Sequence, residues 1–217
     1  MSEVTAIWDQ RYSKNAEGVI RNSQHEPWLD RWQPVLVGRP GRALDIGCGP
    51  GFDTEVLLRW GFQVTALDVS RAAIALAKER NPAAIHAVMD MRNLGCLSGG
   101  FDVIVASLSL HYFNHEETKA IFNTIHGLSK PSSVFAFRVN AFDDVESGAP
   151  GDSSEWECVS VGGVVKQFFT REKIADVLGD RWRIFSEEKL TTRRYGHLKS
   201  LFEVIAIKTS ELKIYEH

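Results

Sequence analysis

Three glycines at alternate positions, Gly47, Gly49 and Gly51, follow the apolar run Ala43 to Ile46 and precede a helical pattern that opens near Asp53. A turn of this kind lets the backbone take positive φ and bring bare N–H groups against a ligand, because no Cβ stands in the way. Strand, glycine turn and helix N-terminus together make a binding edge of nucleotide size. Two carboxylates extend that edge. Asp68 closes the apolar run Gln63 to Leu67, and Asp90 closes Ile85 to Met89. Asp68 lies roughly 20 residues beyond the glycines, where an acid at a strand tip accepts from ribose hydroxyls. A fourth run, Phe101 to Ala106, ends at Ser107 and leads into Leu108-Ser109-Leu110-His111-Tyr112-Phe113. His111 is the one imidazole beside that edge and titrates near neutrality when unperturbed.

Strand-like and helix-like segments alternate behind these residues, the pattern of a parallel sheet with covering helices. The patterns predict strands near 42–46, 63–67, 85–89, 102–107, 133–139, 182–187 and 201–208, and helices near 53–60, 70–80, 116–129 and 170–178. Ser70 or Asp68 caps the second helix and Asn81-Pro82 ends it, while Asn114 caps the third ahead of Glu116-Glu117. Lys130-Pro131 stops that third helix. The segment 3–38 is dense in tryptophan (Trp8, Trp28, Trp32), which indicates packed helices and not a tail. Residues 140–165 are rich in Gly, Ser and Asp, and a loop this long within a compact domain is usually functional.

The expected fold class is α/β: a three-layer Rossmann-like sandwich around a seven-stranded, mostly parallel sheet with an antiparallel last strand and N-terminal cap helices. The 217 residues fit one domain, 1–217, made of a helical cap (3–38), a ligand-binding core (42–139), a loop or lid (140–165) and the remainder of the sheet (166–217). A formal charge of −3 supplies no basic field for a polyanion, so nucleic acid is not an expected partner. Cys48, Cys96 and Cys158 are odd in number and widely spaced, and they read as reduced thiols. The opening residues carry no charged-then-apolar signal pattern and no apolar run approaches the ~20 residues that span a bilayer. The expectation is a cytoplasmic protein, monomer or homodimer, with no membrane association. No His, Asp or Glu cluster has metal-site spacing, so no metal is expected.

The glycine spacing discriminates between cofactors. The dinucleotide fingerprint G-x-G-x-x-G/A puts Phe52 at its third small position. What stands here is Leu44-Asp45-Ile46-Gly47-Cys48-Gly49-Pro50-Gly51, which resembles motif I of the class I S-adenosylmethionine (SAM) methyltransferases. Phe101-Asp102-Val103-Ile104-Val105-Ala106 and the closing Leu201–Lys208 resemble that family's fourth and antiparallel last strands, so the likeness covers about four-fifths of the chain. It implies SAM as the cofactor, held by Asp45, Gly47, Cys48, Gly49, Gly51, Asp68, Val69, Asp90, Met91 and Ser107. Asp68 would take the ribose, Asp90 the adenine amino group, and Val69 and Met91 the adenine faces. Trp8-Asp9-Gln10-Arg11-Tyr12 resembles the Trp-x-x-Arg-Tyr opening of small-molecule enzymes such as the tellurite- and thiopurine-methylating group, where Tyr12 or Trp8 would close over the methionine end.

Methyl transfer from a sulfonium needs in-line alignment of an acceptor lone pair and, for some acceptors, removal of a proton. His111 is the candidate general base, its plain alternative being a packed loop histidine. His25, Arg138 and Asn140 are candidates for the acceptor side. Arg193, Arg194, His197 and Lys199 form a cationic turn that would suit an anionic acceptor, although such runs are usually solvated hairpins. The (D/N)-P-P-(Y/F) tetrad of nucleic-acid amino-methylating enzymes and the Pro-Cys of cytosine C5 enzymes are both missing after the fourth strand. A small-molecule O, N or S acceptor is therefore expected. Alternatives are a SAM-binding protein without catalysis and, disfavoured by Phe52, a nicotinamide-dependent oxidoreductase.

Overall fold

The computed structural model describes residues 3–14, 27–38, 41–151, 158–161, 163–194 and 197–209. Nine strands occur among them: β1 (Arg42–Ile46), β2 (Gln63–Asp68), β3 (Ile85–Val88), β4 (Phe101–Ser107), β5 (Ser129–Asn140), β6 (Val159–Val161), β7 (Val164–Lys166), β8 (Trp182–Arg194) and β9 (His197–Lys208). The helices are α1 (Glu3–Lys14), α2 (Gln33–Leu36), α3 (Phe52–Arg59), α4 (Arg71–Arg80), α5 (His115–Leu128) and α6 (Arg171–Leu178). Seven strands form one sheet in the order β3-β2-β1-β4-β5-β9-β8, with β9 antiparallel to both of its neighbours. Strand order reverses between β1 and β4, the place where open α/β sheets bind ligands.

Side-chain parity builds the three layers. Leu44, Ile46, Ile104, Ala106, Phe135 and Phe137 point to one face, against Ile121, Phe122 and Ile125 of α5 and Ile174 and Val177 of α6. Their chain neighbours Ala43, Val103, Val105, Val134 and Ala136 point to the other, against Val56 and Leu57 of α3 and Leu36 of α2. A strand that is apolar at every position has both faces covered, and period-two alternation sends adjacent residues to opposite sides. Phe122 meets Phe135 and Phe137 edge-on at 5.5 and 5.4 Å between centroids.

The helix boundaries follow their caps. Ser70 Oγ accepts from the Ala73 N–H at 3.1 Å, and Asn114 with Glu117 forms a reciprocal capping box at the start of α5. Two differences from the sequence reading stand out. β5 begins at Ser129, upstream of Pro131, since its first residues pair with Phe101 at the sheet's margin. Within and beyond the expected 140–165 loop lie a short 3₁₀ turn at Val145–Ser147 and the β6–β7 hairpin, whose three-residue strands are too short to show a pattern.

Polar contacts anchor the N-terminal segment, those of Asp9 and Glu203 among them. Asp9 of α1 accepts from Ser70 Oγ at 2.6 Å and from the Ala72 N–H at 3.1 Å, which docks α1 on the N-terminus of α4. Glu203 of β9 is buried and accepts from Trp32 Nε1 at 2.6 Å and from the Arg31 guanidinium at 2.8 and 2.5 Å. Glu203→Ala removes the acceptor for both groups. It is expected to lower unfolding stability by about 1–3 kcal/mol in urea titrations, held to that range because Arg31 is half exposed and keeps Glu188.

Candidate active site

A cleft of about 400 Å³ opens over the C-terminal tips of β1, β2 and β4. Its floor is the glycine turn, with φ of 71°, 52° and 84° at Gly47, Gly49 and Gly51. The N–H groups of Gly47 and Cys48 both donate to the Leu67 carbonyl, at 2.8 and 2.9 Å, which pins the turn to the tip of β2. A Cβ on Gly47 would fall 2.4 Å from that of Ser109, and one on Gly49 would fall 2.9 Å from Tyr12 Oη. These two glycines are needed both for their backbone conformation and for room. Gly51 packs backward instead, its carbonyl accepting from Asn81 Nδ2 at 2.7 Å.

Asp68 stands beside the turn. Its Oδ2 accepts from the Gly49 N–H and its Oδ1 from the Ser70 N–H, both at 2.9 Å. Burial raises its pKa against the opposing pull of those hydrogen bonds. Asp90 also lines the cleft and caps the 3₁₀ turn Met91–Cys96 by accepting from the Arg92 N–H at 3.0 Å. The Arg92 guanidinium closes on its carboxylate at 2.5 Å and holds its pKa down. Val69, Met89 and Met91 supply apolar wall between the two acids.

At the tip of β4, Ser107 lines the cleft and accepts from Arg138 Nε and Nη2 at 3.1 and 3.0 Å. Arg138 is buried with its guanidinium 4.7 Å from the Trp28 ring centroid, and Trp28 Nε1 donates to Asp53 at 2.9 Å. Leu108 follows at φ 56°, a left-handed conformation that costs a non-glycine residue about 1–3 kcal/mol and recurs at functional sites. His111 is buried in the cleft wall, 4.2 Å from the Tyr112 ring, with Nδ1 lacking a hydrogen-bond partner. Burial, then the charges of Lys199 and Lys166, hold its pKa well below the usual imidazole range, so it is neutral at physiological pH.

Of the residues anticipated for the cofactor, the structure gathers Tyr12, Gly47, Cys48, Gly49, Asp68, Val69, Asp90, Met91 and Ser107 around this one cleft, together with His111 and Arg138. Asp45 and Gly51 lie behind the turn. Asp45 is buried and accepts from Thr54 Oγ1 at 2.6 Å beneath the loop. Asn140 is buried beyond Arg138 with neither side-chain atom hydrogen-bonded, and it does not reach the cleft wall. His25 lies outside the described residues, as do the side chains of Arg194 and His197 from the cationic turn. Glu146 and Lys166 line the cleft without a sequence signal for them, and so do Trp28 and Arg11, which the sequence marks only as part of the aromatic cap and of the N-terminal motif. Lys166 offered no signal, since only the β6–β7 hairpin carries it there. The Cys48 thiol is raised well above its ordinary pKa by burial and by Asp45 and Asp68, and so stays protonated.

Residues 43–132 match the family model described as a methyltransferase domain. Among curated proteins, the chain is 26% identical over 67% of its length to malonyl-[acyl-carrier protein] O-methyltransferase of Pseudescherichia vulneris, spanning 55% of that protein. It is 29% identical over 58% of its length to magnesium-protoporphyrin O-methyltransferase of Rhodobacter capsulatus, spanning 58% of it. The chain thus spans little more than half the length of these curated relatives. Among solved structures it superposes on 1,6-didemethyltoxoflavin-N1-methyltransferase of Burkholderia thailandensis with a TM-score of 0.73 and 19% identity, covering 95% of this chain and 88% of that one. The fold is that of the Rossmann-like methyltransferases. No helix among the described residues is long and apolar enough to cross a membrane.

Asp45 supplies a test of this floor. Burial, with Asp53 and Asp68 nearby, lifts its pKa from 3.8 to about 8. A carboxyl that binds its proton more tightly folded than unfolded contributes stability below its unfolded pKa, and that contribution is lost as pH rises through the folded value. Asp45→Asn keeps the acceptor for Thr54 and removes the titration. In urea unfolding the variant is expected to gain on the parent between pH 5 and pH 8.5, by more than about 1.4 kcal/mol, the worth of a single pKa unit.

Proposed function

We propose that this protein is a SAM-dependent methyltransferase acting on a small-molecule O, N or S acceptor. The observation that carries the reading is the pairing of Asp68 with the glycine turn in one cleft, joined by the hydrogen bond to the Gly49 N–H. Gly47 and Gly49 leave a cradle that a Cβ would fill, and Asp68 provides a buried carboxylate for vicinal hydroxyls. Asp90, Val69 and Met91 would hold the adenine, while Tyr12 from α1 and the turn's backbone would cover the methionine portion. SAM supplies an activated methyl on a sulfonium, which becomes a thioether as the acceptor–CH₃ bond forms.

The chain's own contribution is to bind, orient and exclude water. Trp8 and Tyr12, on the helix anchored through Asp9, roof the cleft, and Trp28 closes the side facing Arg138. We read residues 3–38 as a helical cap and residues 140–165 as a loop or lid. An acceptor with an exchangeable proton would pass it to His111, which as a neutral imidazole is in the basic form. The Trp8–Tyr12 opening supports a small-molecule enzyme like the tellurite and thiopurine group, and the O-methyltransferase names of the two curated relatives favour oxygen as the acceptor atom.

Calorimetric titration with S-adenosylhomocysteine (SAH) tests the cofactor. Micromolar binding by folded protein is expected, and no binding would reject the reading. Asp68→Ala should weaken SAH by one to two orders of magnitude, given about 1.5–3 kcal/mol for a hydrogen bond to a charged group. A protein that bound SAH yet methylated nothing in a broad acceptor screen would be a cofactor-sensing module instead. His111→Gln with undiminished turnover would dismiss the base role.

A further inference from the structure

The walls of the cleft differ in charge. Asp68 and Asp90, with Glu117, lie toward β2 and β3, where Arg92 is engaged by Asp90 and Glu117. At the other end, Lys166 from β7 and Lys199 from β9 meet across Ser147: Lys166 Nζ donates to its carbonyl and Lys199 Nζ to its hydroxyl, each at 3.3 Å. Arg11 of α1 adds a third cation to the same end. The acids there are Asp144, 3.3 Å from Lys199, and Glu146, whose carboxylate accepts from the Leu198 N–H at 2.9 Å. Among the described residues at this end, three cations thus face two acids, both of which also accept from the backbone of β9.

Resting on the methyltransferase reading above, we infer that the acceptor is a small organic acid whose carboxylate is held by Lys166 and Lys199 beside His111. His111 is 1% exposed, lines the cleft, and has a buried Nδ1 that no group among the described residues satisfies. A buried polar nitrogen without a partner is costly, and in the tautomer that carries its proton on Nδ1 it would donate to a carboxylate oxygen. The Gln167 N–H donates to the His111 carbonyl at 2.8 Å, which seats the end of the β6–β7 hairpin, and with it Lys166, against this loop. Burial lowers the pKa of Lys166, Asp144 opposes that shift and Arg11 adds to it; the net lowering is a penalty that an anion would offset. Trp8 and Tyr112, edge to face at 5.2 Å, provide an aromatic flank for the acid's apolar body. The acidic end matches the net cationic cofactor and the basic end an anionic acceptor, so opposite charges sort the two ligands into their halves.

The test uses full-length protein saturated with SAH and titrated calorimetrically with benzoate, phenylacetate and indole-3-acetate beside their neutral amides. At least one acid should bind tenfold or more tightly than its amide. Lys166→Met should weaken that acid at least tenfold with SAH affinity unchanged, and Lys166→Arg should restore most of the binding. Acids and amides binding alike, no acid binding, or an indifferent Lys166→Met would overturn the inference. Failure of SAH itself to bind would instead reject the methyltransferase reading, so the two failures are distinguishable.

Discussion

The hydrogen bond from the Gly49 N–H to Asp68 Oδ2 is the contact on which the rest of the site depends. It joins the turn after β1 to the tip of β2 and orients a buried carboxylate toward the cleft. The paired N–H groups of Gly47 and Cys48 on the Leu67 carbonyl hold the same two strand ends together. Positive φ at each glycine and the absence of Cβ atoms make this geometry available. Residues elsewhere are placed relative to it: Ser109 fills the space beside Gly47, Tyr12 rests over Gly49, and Asn81 fastens Gly51 from behind.

Electrostatics then divides labour within one continuous cleft. Carboxylates cluster where strand tips bring Asp68 and Asp90 together, and cations collect where the hairpin and β9 approach the loop after β4. Burial strengthens both sets by reducing solvent screening, and it shifts titrations in opposite senses. Asp45 and Asp68 go up, and His111 goes down. A neutral His111 flanked by ammonium groups accepts a proton weakly, which suits an acceptor oxygen that is already ionised better than one that must first lose its proton.

Much of this is legible in the sequence. Period-two alternation and continuous apolar runs mark β1, β2 and β4, because most of their side chains meet apolar neighbours on both faces. Ser70 and Asn114 announce their helices through local hydrogen bonds that need no tertiary partner. Gly47, Gly49 and Asp68 were readable for the same reason, since a strand tip and a turn put them at one edge regardless of detail. Asp45 is the instructive divergence. Its place in the motif points to the ligand, yet parity on β1 turns its side chain beneath the loop to Thr54.

What the sequence by itself determined is the set of local geometries: strands, caps, the glycine turn and the order in which acids arrive at the strand tips. These follow from backbone sterics and short-range periodicity. Only the tertiary structure decided that Lys166, Lys199, Arg11 and His111 share one wall, and that Trp28 stacks on Arg138. Those residues come from a three-residue hairpin strand, an antiparallel last strand, a docked helix and a loop, whose meeting depends on packing between distant segments. The half of the cleft proposed for the cofactor could be read along the chain because consecutive strand tips build it. In the half proposed for the acceptor, His111, Arg138 and Lys199 were readable one by one, but their meeting with Lys166 and Arg11 was not, because long-range contacts bring them together and no local spacing encodes those contacts.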